Sequence, residues 1–236
     1  MRDRLPLLAG FALLGLAIGL GAVVLAGGIQ DRNRNDTITV TGSAKQRITS
    51  DYVIWDASVA SQADTPQAAA PQLEGWAHQV RLFLAAQGAE PAEITVNPIT
   101  TDTLTNNAGR TTGYRLTRTF EVRSSRVSQT AALVEASQKL LAAGVPLQAQ
   151  PPQYLYTKLA DLRPKLLAAA TKDALNRGKV LVSATGAKLG GLRGVDVSPF
   201  QVTAPNSTQV EDYGVYDTST LNKDVTAVVN VTFALK

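Results

Sequence analysis

The chain has 236 residues, 44% hydrophobic and 18% charged, which suffices for one large domain or two small ones with a true core and excludes disorder throughout. It holds no cysteine and one histidine, which removes disulfide frameworks, thiolate nucleophiles and the common zinc, haem and iron–sulfur ligand sets. The net charge of +4 comes from 23 basic and 19 acidic side chains scattered along the chain, without a basic face interleaved with aromatics, so no nucleic-acid partner is indicated.

Residues 5–29 carry no charge and contain six of the 18 glycines. As a helix they would extend about 37 Å, enough to cross a hydrocarbon layer of roughly 30 Å with some tilt. A cleaved secretory signal is the competing reading, with Val24-Leu25-Ala26 as its cleavage site. The apolar run is longer than the usual signal core and favours an uncleaved signal anchor over residues 1–29. Arg2 and Arg4 precede the span and Arg32 and Arg34 follow it, so charge alone does not orient it. Ala12, Gly15, Gly19, Ala22 and Ala26 fall on one helical stripe and form a candidate face for association between anchors. Residues 30–36 are polar and read as a linker into a domain spanning 37–236.

From Thr37 the apolar period becomes two. Ile38 and Val40, then Val53, Trp55, Ala57 and Val59, predict two strands. Thr65-Pro66 opens a helix whose Leu73, Trp76, Ala77, Val80, Phe83 and Leu84 share a face, with Gly88 as its stop. His78 lies well off the centre of that face and reads as a surface histidine. Ile94, Val96 and Ile99, a turn at Asn106–Gly109, and the alternation Tyr114, Leu116, Phe120, Val122 predict a hairpin. A second helix follows from about Ser128, with Leu133, Val134, Leu140 and Leu141 facing inward and Gly144 closing it. A strand over 153–158 leads to a third helix, about 161–185, whose Ala170, Ala174 and Gly178 form a small-residue seam flanked by Leu166, Leu167, Leu181 and Val182. Gly186, Gly190, Gly191 and Gly194 read as a helix cap and turn before a strand over 195–202. The polar loop 203–223 precedes a last strand, 225–235. The pattern predicts an α+β fold: a mostly antiparallel sheet packed by about three helices, preceded by one N-terminal transmembrane helix.

The chemistry-bearing patterns are sparse. GAKLGGLRG over 186–194 follows a helix and enters a strand, the reverse of a phosphate-binding loop. No Gly-x-Ser-x-Gly or Ser-x-x-Lys occurs, and His78 is the sole histidine available as a base. Glu211, Asp212, Asp217 and Asp224 cluster in and after the long loop; they match no EF-hand and read as a solvated loop or subunit contact before a hard-cation site.

Several of these segments resemble the SIMPL domain family. They are Ile38-Thr-Val-Thr-Gly-Ser-Ala with Val53-Ile-Trp-Asp-Ala-Ser-Val, and Gly113-Tyr-Arg with Phe120-Glu-Val. The alanine-rich stretch Lys165–Ala174 with Arg177-Gly-Lys, Gly186 and Leu189-Gly190 resembles that family's helix and glycine exit. Phe200-Gln-Val, Asp212-Tyr-Gly, Asp217-Thr-Ser and Lys223-Asp-Val-Thr-Ala-Val-Val resemble its C-terminal signature. The resemblance implies an exported bacterial envelope protein, in some members linked to stress tolerance and to ring- or channel-like assembly, with no catalytic residues to carry over. It implies a single-pass inner-membrane protein with its domain on the periplasmic side.

The expectation is therefore a non-enzymatic, membrane-anchored envelope protein without cofactor or metal, which self-associates and serves as a scaffold or interaction module. A homo-oligomer is expected, with an envelope protein as a possible further partner. The candidate oligomer contact is the loop carrying Asp212, Tyr213, Tyr216 and Asp217, because the tyrosines offer apolar area beside hydrogen-bonding groups. The alternative is a small-ligand-binding envelope domain relaying a signal or solute, with a pocket lined by Trp55, Trp76 and Tyr114.

Overall fold

The structure is a computed structural model that describes residues 36–209 and 211–236. The apolar span 5–29 and the stripe Ala12, Gly15, Gly19, Ala22 and Ala26 lie outside the described residues. Among the described residues no helix is long and apolar enough to cross a membrane.

Among the described residues, ten strands and four α-helices follow one another: β1 (Thr37–Thr49), β2 (Tyr52–Ala63), α1 (Pro66–Ala86), β3 (Ile94–Val96), β4 (Thr100–Thr105), β5 (Thr111–Ser124), α2 (Val127–Ala136), α3 (Gln138–Ala142), β6 (Gln148–Ala149), β7 (Gln153–Leu155), α4 (Leu159–Ser183), β8 (Leu189–Val197), β9 (Gln201–Thr203) and β10 (Asn222–Leu235). A short 3-10 turn, Pro91–Glu93, precedes β3. The fold is α+β, as the sequence pattern predicts, but with two sheets where one was expected. One has the order β1-β10-β8 with β9 also on β10; the other has the order β3-β5-β2-β6, with β4 on β5 and β7 on β2. Every strand pair whose register is described is antiparallel.

The chain forms two compact units. One contains the described residues up to Lys45 together with Arg163–Phe200 and Thr226–Lys236; the other contains Gln46–Leu162 and Gln201–Val225.

In the larger unit β2 and β5 run side by side from Val53↔Ser124 to Ala63↔Tyr114, and α1 packs across both. Thr65 caps α1, its hydroxyl accepting the Ala68 N–H, with Pro66 at the first position. Leu73, Ala77, Val80 and Leu84 then meet Trp55, Val59, Phe120 and Val122 in the core. Asn106 closes the β4–β5 turn by accepting from the Ala108 and Arg110 amides, and Gly109 takes the left-handed conformation the turn demands. The expected second helix is two helices. Ser137 bonds its hydroxyl back to Val134 O, which bends the chain between α2 and α3. That bend buries Leu140 and leaves Leu141 exposed instead of facing inward.

In the smaller unit α4 lies on the sheet. Ala170 and Ala174 are fully buried, as the seam predicts, because β1 passes them at Gly42. A Cβ at Gly42 would stand 2.2 Å from Ala170 O and 2.5 Å from Ala174 N. Gly178 packs against Leu189 and Phe233, and Val182 is buried, whereas Leu181 is exposed. Gly186 has a φ of +75°, which suits the predicted left-handed exit. Gly190, Gly191 and Gly194 lie in β8 and not in a turn; at Gly190 a Cβ would stand 2.8 Å from Ala234 O, so close strand approach is its reason. The strand expected over 195–202 therefore begins earlier as β8, ends at Val197, and resumes as β9. The strand expected over 153–158 is shortened to β7.

Candidate interaction site

A long polar loop joins β9 to β10, and two ion pairs, each with one buried partner, hold its exit. Lys223 and Asp224 are neighbours at the start of β10, so their side chains leave opposite faces of the strand. Both are buried, at 0% and 1% exposure. A buried charge is tolerated only when paired and hydrogen-bonded, and each has its own partners. Lys223 Nζ donates to Thr220 O at 2.6 Å and to Asp217 Oδ2 at 3.2 Å. Asp224 accepts from Arg47 Nε at 2.8 Å and from the Asn206 amide at 3.1 Å. Asn206 adopts a left-handed φ of 61°, and its side-chain oxygen accepts from Arg47 Nη2 at 3.1 Å, so it touches both members of that ion pair.

Asp217 also accepts from the Ser219 amide and hydroxyl and from the Thr220 hydroxyl. Burial alone would raise its pKa, but the bonds from Thr220, Ser219 and Lys223 outweigh it and hold the carboxyl well below the usual carboxylate range. Burial pushes the Lys223 ammonium down, with Asp217 opposing that shift. The Arg47 guanidinium is pushed up by its bond to Asp224.

Further anchors complete the frame. Gln201 bridges the loop internally, donating to Glu211 O and accepting the Val215 amide. The Tyr216 hydroxyl accepts the Tyr156 N–H at 2.9 Å, and Val202 pairs with Tyr216 in an isolated bridge. Between these anchors Tyr213 is 98% exposed, beside exposed Glu211 and Asp212.

The four residues expected as one contact surface thus divide. Asp217 and Tyr216 bind the loop to its own unit, while Asp212 and Tyr213 are presented outward. The acidic cluster divides as well: Asp217 serves Lys223 and Asp224 serves Arg47, so these two carboxylates are not directed at a shared cation. Among the described residues no group of three or more His, Asp or Glu is placed to hold a metal ion. Sequence reasoning missed Arg47, Asn206 and Lys223. The adjacency of a lysine and an aspartate inside an otherwise apolar strand was the available signal.

The aromatics considered for a ligand pocket serve packing. Trp55 is a core residue whose indole N–H donates to Gln150 O at 3.0 Å, and Trp76 and Tyr114 pack against the same core. His78 is exposed, as the sequence indicates. In the smaller unit a groove of about 570 Å³ runs along Thr39, Val40 and Thr41 of β1 and Asn176, Arg177, Val180 and Leu181 of α4, with no aromatic lining it.

These features define an α+β protein with two antiparallel sheets and an exposed tyrosine held on a braced loop. The family described as SIMPL, protein of unknown function (DUF541), matches residues 38–233, and the chain belongs to that family. No curated protein matches the chain.

Proposed function

We propose that this chain is a non-enzymatic, membrane-anchored cell-envelope protein that self-associates and acts as a scaffold or interaction module, serving envelope stress tolerance. The observation that carries the reading is the braced loop. Two ion pairs, each with one fully buried partner, and a tyrosine bridge tie Asn206, Tyr216 and Asp217 of this loop to its unit, while Tyr213 is 98% exposed. A wholly exposed tyrosine adds nothing to the core, whereas an aromatic with a polar tip and few rotatable bonds suits a contact surface. The uncharged run 5–29 supports tethering to a membrane, and the family resemblance is the ground for taking that membrane as the inner one with the domain on its periplasmic side.

The experiment is membrane fractionation of the expressed full chain, followed by protease treatment of spheroplasts and sizing of the detergent extract. The reading expects the chain in the carbonate-resistant membrane fraction, accessible to external protease, and larger than one chain. Recovery as a cytosolic monomer contradicts it.

A further inference from the structure

We propose that the groove between β1 and α4, with exposed Val180 and Leu181 on its rim, is a docking face for an anionic phospholipid surface. This rests on the membrane tether proposed above and gives the tethered domain a second contact with the same bilayer.

Charge that is scattered along the sequence is sorted by the fold. The described part of the smaller unit carries nine basic side chains and three acidic ones, Asp36, Asp173 and Asp196, for a net +6; the larger unit carries ten basic and fourteen acidic, for a net −4. Pairing sharpens the difference. In the larger unit Arg47, Arg118, Arg123 and Arg126 each meet a carboxylate. In the smaller unit Arg177 meets Asp173, while Lys172, Lys179, Lys188 and Arg193 are exposed and meet no described acidic residue. Uncompensated cations beside an apolar surface are the complement of an anionic lipid face.

The apolar part comes from α4. Val180 and Leu181 are 69% and 51% exposed, while the same helix buries Ala170, Ala174 and Val182. Both line the groove with Val40 and Arg177. The Thr39 and Thr41 hydroxyls at its β1 side are bonded to Thr232 and Asn230, and Arg177 to Asp173, so what the groove leaves without a partner is chiefly aliphatic. Lys179 adjoins Val180 in the chain, and a lysine stem covers apolar surface while its ammonium stays at headgroup depth.

The tether selects a bilayer over the acidic unit of a second copy. The linker 30–36 runs from the uncharged span into β1, hence into the smaller unit, and the groove lining begins at Thr39. The chain from Ile29 to Thr39 extends at most about 36 Å. A bilayer holding residues 5–29 is therefore never farther than that from the groove, at an effective concentration that a freely diffusing copy does not match.

The chain has no cysteine, so an environment-sensitive fluorophore on an introduced thiol reports one chosen position. Labelled full-length Val180→Cys is reconstituted at one chain per nanodisc, in phosphatidylcholine or in an equal mixture with phosphatidylglycerol. In the mixture its emission is expected to shift to the blue, to be quenched by brominated acyl chains, and to revert in high salt; in phosphatidylcholine it stays unshifted. The label at Leu141→Cys, a position of similar exposure in the larger unit, should respond to neither lipid. Adding Lys172→Glu and Lys179→Glu should lower the ratio of docked to free domain at least about tenfold, since each basic side chain near an anionic surface contributes about a factor of five. Circular dichroism melts establish that each variant is folded. Emission indifferent to lipid charge, equal at Leu141→Cys, or unmoved by the charge reversals overturns the lipid face, as does a shift seen only with two chains per disc, which gives the groove to a second copy. In each of these cases resistance to carbonate extraction leaves the tether standing. A chain that carbonate releases overturns the tether and this inference with it.

Discussion

Lys223 Nζ lies 3.2 Å from Asp217 Oδ2, with the lysine wholly withdrawn from solvent. Removing one partner strands the other: Lys223→Met is predicted to cost about 3–5 kcal/mol in urea unfolding. Asp217→Asn with Lys223→Met should cost less than the sum of the two single changes, which a double-mutant cycle measures. Because the folded state depresses the Asp217 pKa, the stability it contributes is complete above the ordinary carboxylate range and lost as pH falls through the folded value. Wild-type and Asp217→Asn unfolding curves should therefore converge on acidification; a constant gap across pH would refute the assignment.

Gly42 and Gly178 both lie in the packing of α4 on its sheet but differ in what surrounds them. At Gly42 a Cβ would meet the backbone of Ala170 at 2.2 Å, and backbone cannot yield. Gly42→Ala should cost about 1–3 kcal/mol or more. At Gly178 the nearest atoms are the side chains of Leu189 and Phe233, at 3.4–3.6 Å. Gly178→Ala should be neutral, or stabilising by up to about 1 kcal/mol through helix propensity. Thermal melts of the two variants test the contrast.

Glu93 joins the turn before β3 to the end of β5. Its carboxylate accepts from Arg126, the Ser124 hydroxyl and the Glu90 amide. The Arg126 bond is the chief reason its pKa is held down to about 2. Glu93→Gln should destabilise by about 1.5–3 kcal/mol at neutral pH. The depressed pKa places this contribution fully above the ordinary glutamate range, and it fades as pH falls toward about 2. Denaturation midpoints at pH 7 and pH 3 check the sign: the gap between wild type and Glu93→Gln must narrow at the lower pH.

The two loop tyrosines should separate stability from association. Tyr213→Ser removes a side chain that is 98% exposed and should leave stability within about 0.5 kcal/mol while weakening assembly. Tyr216→Phe deletes the acceptor for the Tyr156 N–H and should cost about 1 kcal/mol. Unchanged oligomer size for Tyr213→Ser would remove the loop from the interface.

Much of the fold was legible because its signals are local. The period-two runs of β2, β5 and β10, the Thr65-Pro66 cap and the Ala170–Ala174–Gly178 seam each follow from neighbouring residues. The division into two sheets was not legible, since it depends on which distant strand β1 and β8 choose as neighbour. The glycines of β8 misread as a turn for the same reason: Gly190 answers to Ala234, far along the chain. In the candidate site the exposed tyrosine was anticipated, but the brace was not. Arg47 and Asp224 are 177 positions apart, and no spacing rule joins them.

The central claim is that this chain works as an assembly. Multi-angle light scattering of the full-length protein in mild detergent, across a hundredfold range of concentration, measures it most directly. The account predicts a protein mass that is a whole multiple of one chain, greater than one, and that falls on dilution. A mass of one chain at every concentration would contradict it.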